Sequence, residues 1–173
     1  MSSETLNQTV TIRRMHIDDL EQIQQLYAEQ EANNRDPMMK LRINPQQHAW
    51  EMRRIRQKLL TEQRYLAFVA TIPDENHKEQ FIGYIAAIIE NQARIYDIET
   101  IASIGELWVL PEFRHRGIGK ALASELLDMI NQIGIQWITV QLDIDNEEVQ
   151  SFFKNNGFKP AAIEMRRVLN DHS

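Results

Sequence analysis

The chain opens on an alternation of apolar and polar positions. Val10, Ile12 and Arg14 alternate with Thr11, Arg13 and Met15, and this period of two predicts a short strand ended by Ile17 and Asp18. The spacing then lengthens. Leu20, Ile23, Leu26 and Tyr27 recur as one helical stripe, with Asp18 and Glu21 placed as a capping box. Periodicity fails over 31–44 (EANNRDPMMKLRIN), which reads as a loop or broken helix suited to recognition. Asn44 before Pro45 marks a new helix start, and Trp50, Ile55 and Leu59 carry a second amphipathic helix toward Thr61.

Branched and aromatic residues then take over at 65–72 and 81–89, and the polar PDENHKEQ between them predicts an antiparallel hairpin. A further strand covers 102–110. Helical spacing returns over 117–133 through Ile118, Leu122, Leu126, Met129, Ile130 and Ile133, and Gly134 stands where a C-cap belongs. A strand at 135–142 follows. Asp145 and Glu148 precede a short helix through Val149, Phe152 and Phe153 that Asn156-Gly157 ends, and the tail from Phe158 to Leu169 has room for one or two strands. The order β-α-α-β-β-β-α-β-α-β(-β) predicts an α+β fold: one mixed sheet with helices packed on it.

A length of 173 residues suits a single domain over 1–173, and hence one site. The absence of cysteine excludes disulfides, thiolate nucleophiles and Cys-ligated metals. The five histidines, at 16, 48, 77, 115 and 172, show no ligand spacing, so no metal is expected. A net charge of −6 disfavours general nucleic-acid binding, which needs a basic face. The start MSSETLNQTVTIRR has neither an apolar run nor an early positive cluster, and the longest apolar stretch, 85–89, is far too short for a membrane span. A soluble, cytoplasmic protein with no membrane partner is expected. Arg53, Arg54, Arg56, Lys58 and Arg64 read as the solvated face of a helix.

Candidate chemistry concentrates in 107–122, LWVLPEFRHRGIGKAL, where a strand turns at Pro111 and a helix begins near Gly117 and Gly119. Glycines there leave no side chain in the way of a bulky anion, and the unpaired N–H groups of the first helical turn face it. Arg114, Arg116 and Lys120 add mobile positive charge. The P-loop pattern fails because Ala121 follows Lys120, and the dinucleotide fingerprint fails because Leu122 holds the third glycine's place. By itself, this Gly-x-Gly fits a tight connection as well as a pyrophosphate cradle.

The run L-x-V-x-P-x-x-R-x-x-G-x-G, then a helix, a strand and Asn146-x-x-Val149-x-x-Phe152-Phe153-Lys154-x-Asn156-Gly157-Phe158, resembles the GNAT superfamily of N-acetyltransferases over residues 104–158. The upstream elements follow the same order more loosely. The resemblance implies a mostly antiparallel mixed sheet, flanked by about four helices, with two strands splayed into an acyl-CoA cleft. It also implies transfer of an acetyl group from acetyl-CoA to a primary amine of a small molecule or peptide, with no metal. In its terms, Trp108, Val109 and Leu110 pair with the pantetheine arm, and Arg114, His115, Arg116, Gly117, Ile118, Gly119 and Lys120 take the pyrophosphate. Asn146 stands at a position that contacts pantetheine, although it equally suits a helix start.

Phe153 stands where many family members carry a proton-donating tyrosine, so the general acid does not carry over, and the resemblance leaves Phe153 a cofactor-binding role by packing. Tyr27, Tyr65, Tyr84 and Tyr96 are the tyrosines available. Glu106 is the candidate base for the incoming ammonium, although strand alternation alone leaves open which face it occupies. Without cysteine, direct attack on the thioester is the simpler course. Glu31, Asp36 and Glu106 favour a cationic amine over an acidic acceptor. Two other functions stay open: a non-catalytic acyl-CoA sensor, and less well a nicotinamide-cofactor-binding protein. Arg166-Arg167 suits either a substrate mouth or an edge strand, and the family's frequent dimerisation leaves a homodimer open.

Overall fold

A computed structural model describes residues 9–25, 45–92, 100–163 and 165, with the backbone alone at 45–49, 51, 52 and 59. Leu26, Tyr27, the 31–44 loop with Glu31 and Asp36, Tyr96, and Arg166-Arg167 lie outside the described residues. Contacts gather into two units, Met1–Gln141 and Leu142–Ser173.

The first unit holds a sheet of five strands in chain order: β1 (Thr11–Arg14), β2 (Tyr65–Pro73), β3 (Glu79–Asn91), β4 (Thr100–Val109) and β5 (Trp137–Val140). β1 through β4 pair antiparallel, and β4 pairs parallel with β5. Its helices are α1, described over 20–25, α2 (Pro45–Thr61) and α3 (Ile118–Gln132). The hairpin of β2 and β3 arises as its alternating branched and aromatic residues predict. Both strands are buried through their middles, because both faces of the sheet centre are covered. On α3, Leu122, Leu126 and Ile130 repeat every fourth residue and are fully buried, as their spacing predicts. Ile133 leaves that stripe: it is the C-cap residue, 47% exposed, and Gly134 follows in the left-handed conformation.

Three local expectations are corrected. The first helical turn is not capped by Asp18 and Glu21; a 3₁₀ turn (Ile17–Asp19) comes first, and the Asp19 carboxylate accepts from the His16 N–H at 2.7 Å. Asp19 is also clamped by Arg13, which donates from Nη1 at 2.7 Å and Nη2 at 3.0 Å and reaches Glu79 as well. On α2, Trp50 is 65% exposed, whereas Arg56, assigned to the solvated face, is buried. Finally, β5 covers only Trp137–Val140, shorter than the alternation over 135–142 predicts.

The second unit is built on α4 (Glu147–Asn155). Its N-cap is Asn146, whose side-chain oxygen accepts from the Val149 N–H at 3.1 Å, so Asn146 takes the role expected of the Asp145/Glu148 pair. Among the described residues of the tail, 158–163 and 165, no strand forms. No helix among the described residues is long and apolar enough to cross a membrane.

Candidate active site

The site is built around a mismatch between β4 and its neighbours. Parallel pairing with β5 runs from Ile101 opposite Trp137 to Ile104 opposite Val140 and stops there, while β4 continues to Val109. Beyond Ile104 no described strand pairs with that edge of β4. At the same point the ladder to β3 slips, with Ala87 opposite Ile104 but Ala86 opposite Glu106. Gly105 is therefore an extra residue, a β-bulge. In an unbroken ladder Glu106 would face Ile85; the bulge turns it, with Trp108, onto the face shared by Ala86 and Tyr84.

That face carries a charged cluster. Arg56 of α2 donates from Nη2 to Glu106 Oε2 at 2.7 Å, with side-chain exposures of 2% and 13%. The Tyr65 hydroxyl lies 3.5 Å from the same oxygen, at the long limit of a hydrogen bond. Burial, and then the adjacent Glu106 carboxylate, push the Tyr65 and Tyr84 hydroxyls well above the ordinary tyrosine range. Spacing held the signal for Arg56: Met52, Ile55, Arg56 and Leu59 follow an i, i+3, i+4, i+7 pattern, so the arginine interrupts an apolar stripe.

At the end of β4, the Leu110 N–H is bonded to Ile82 O on the β3 side at 2.9 Å. Successive residues of a strand point opposite ways, so Val109 addresses the open edge, and its carbonyl accepts from Arg114 Nε at 2.9 Å. The Arg114 guanidinium lies over the Trp108 ring, 4.4 Å from its centroid. The chain then passes a 3₁₀ turn (Pro111–Phe113), a left-handed His115 (φ +59°) and a left-handed Gly117 (φ +81°) before entering α3. The bond from Ala121 N–H to Gly117 O, at 3.0 Å, closes the first turn of α3. The amides of Ile118, Gly119 and Lys120 precede it, and the positive end of the helix dipole lies among them. Arg116 lies over the Phe113 ring at 5.5 Å, and Lys120 is exposed.

Thus Glu106, Trp108, Val109, Leu110 and the stretch Arg114 to Lys120 form one continuous piece of the first unit, as their order in the chain predicts. In the second unit, Asn146 spends its side-chain oxygen on the cap, and Phe153 is buried edge-on between Phe152 and Phe158, each ring pair 5.2 Å apart at the centroids.

Comparison with known proteins adds independent findings. The model of the acetyltransferase (GNAT) family matches residues 20–158. A mycothiol acetyltransferase of Beutenbergia cavernae is 29% identical over 65 residues, which are 36% of this chain and 22% of that protein. The chain thus spans about a fifth of that curated relative. Among solved structures, a putative acetyl transferase from Pyrococcus furiosus superposes with a TM-score of 0.72 at 22% identity, covering 93% of this chain and all of that one. An aminoglycoside N-acetyltransferase solved with CoA gives 0.68 at 18% identity, covering 96% and 99%. At such identities the structural likeness speaks for the fold.

Proposed function

Because the chain belongs to the acetyltransferase (GNAT) family, we propose that it moves an acetyl group from acetyl-CoA to a primary amine of a small molecule or peptide. The observation that carries this reading is the continuity of two features: an edge of β4 with which no described strand pairs past Ile104, and the loop and helix start that follow it directly. The open edge suits the amide-bearing arm of the co-substrate, through the backbone of Val109 and the surroundings of Trp108 and Leu110. Because the Leu110 N–H is committed to Ile82, Leu110 contributes through its other groups. The first-turn amides of α3 and the cations at 114, 116 and 120 suit a pyrophosphate. The solved relative that holds CoA supports the same co-substrate.

Bound acetyl-CoA supplies an activated acyl group as a thioester. The acceptor nitrogen forms the new C–N bond as the C–S bond breaks, and the thiolate takes up a proton on leaving. The acceptor arrives as an ammonium and must first lose a proton, for which Glu106, directly or through one water, is the carboxylate at hand. Arg56, bonded to Oε2, holds that carboxylate in place. Phe153 has no proton to give the thiolate, and the buried hydroxyls of Tyr65 and Tyr84 hold theirs tightly. Water at the open edge, aided by the α3 N-terminus, is the proposed donor. Small-molecule amines are favoured, in keeping with the aminoglycoside-acetylating relative. The Glu106 charge is offset by Arg56 and adds little long-range pull on a cation.

Thiol release from acetyl-CoA across an amine panel tests this reading. With an accepted amine, Glu106→Gln is expected to lower kcat about 100-fold while the acetyl-CoA dissociation constant stays within about twofold. Turnover unchanged in that variant removes Glu106 from the mechanism. Acetyl-CoA binding without turnover of any amine favours the sensor reading, which the missing hydroxyl at Phe153 supports.

A further inference from the structure

We infer that Arg56 is a positioning residue for the reaction, clamping Glu106 through Oε2 so that the carboxylate is held in one orientation toward the acceptor amine. This rests on the role proposed for Glu106 and deepens it. The sequence of the sheet makes room for the clamp. Ala67 of β2, Ala86 of β3 and Glu106 of β4 stand directly opposite one another across three strands and share one face. The two alanines leave low ground beside the carboxylate, and Tyr65 and Tyr84 stand along the same face to either side in register. A long side chain descending from α2 fills that ground, and Arg56 does so with its side chain 2% exposed.

The carboxylate is held by a buried donor. Oε2 receives both the guanidinium at 2.7 Å and the Tyr65 hydroxyl at 3.5 Å, and the Tyr84 hydroxyl also bonds the carboxylate. A carboxylate on a strand edge beside an open cleft otherwise rotates among rotamers. One held by a buried, planar donor has a defined direction for its remaining lone pairs. The bulge at Gly105 and the helix α2 thus meet at one atom: the first sets the face, the second the rotamer. Misplacement of a proton acceptor by a fraction of an ångström is costly to the rate while leaving co-substrate binding intact.

The test is a double-mutant cycle with Arg56→Met, Glu106→Gln and the double variant, supplemented by Arg56→Lys and read in kcat and in KM for acetyl-CoA. Arg56→Met is expected to lower kcat about tenfold or more at constant acetyl-CoA KM. On the Glu106→Gln background the same change should cost less than about twofold, because its target is already gone. Arg56→Lys, which keeps the charge and loses the fork, should fold with a near-native melting curve and recover part of the rate. An equal loss from Arg56→Met in both backgrounds overturns the inference, as does an unaltered kcat in Arg56→Met. If Arg56→Met fails to fold, Arg56→Lys decides: a wild-type kcat overturns the clamp, and a reduced kcat that vanishes as an effect on the Glu106→Gln background supports it. Wild-type turnover by Glu106→Gln overturns the parent reading instead, so the two failures are distinct.

Discussion

Two glycines in the β3–β4 ladder have opposite requirements. A Cβ on Gly83 would stand 2.8 Å from Trp108 O and 3.3 Å from Val109 Cα, and backbone cannot swing aside as a side-chain tip can. Gly83→Ala is therefore expected to part β3 from β4 at the mouth of the open edge, costing about 2 kcal/mol and raising the acetyl-CoA KM. Gly105→Ala meets nothing within 4 Å and should cost less than about 1 kcal/mol. Thermal melts of the two variants check the contrast, and equal midpoints would refute it. Residue type identified Glu106 as an acid in the right stretch. Its face was not legible, because alternation counted from Ile104 gives the wrong side once a bulge intervenes.

Among the elements, α3 was the most legible, since its apolar stripe, its entry glycine and its αL glycine agree with one another. α2 is legible in its extent but not in its orientation. A lone arginine on an apolar stripe looks like surface until a carboxylate is found beneath it. α4 shows local chemistry deciding among neighbours: Asp145, Asn146 and Glu148 all suit a helix start, and the backbone selects Asn146 as cap. Asn146→Ala is expected to cost about 1 kcal/mol, and amide exchange at Val149, whose N–H loses its acceptor, should accelerate. Unaltered protection at Val149 would mean that the cap carries no weight.

For the molecule as a whole, the net charge of −6 conceals organised pairs. Burial by itself would raise the Asp19 carboxyl, but the Arg13 fork and the His16 amide outweigh it and hold that carboxyl below its usual range. Hydrogen bonding from Arg13 likewise lowers Glu79. Both groups are easier to ionise folded than unfolded. Their stabilisation is complete above the unfolded carboxylate values of about 4 and disappears as pH falls through the lower folded ones. The melting temperature is expected to be level near neutrality and to drop below about pH 4. Asp19→Asn should be less stable at pH 7 by about 1.5 kcal/mol and show a shallower acid decline. Parallel curves for the two proteins would exclude Asp19 as a source of acid sensitivity. Global charge predicts none of these pairings.

Sequence alone determined what depends on neighbours along the chain: helix periods, the hairpin, the glycine-flanked entry to α3, and the two spaced motifs that identify the family. Those signals are local, since a period of two or 3.6 and a positive φ are satisfied within a few residues. Tertiary structure decided what depends on residues far apart. It chose the face of Glu106 through one inserted glycine, ended β5 at Val140 so that no described strand pairs with that edge of β4 past Ile104, and brought Arg56 to a carboxylate 50 positions away. A buried charge is tolerated only where a partner meets it, and which partner meets it is a property of packing.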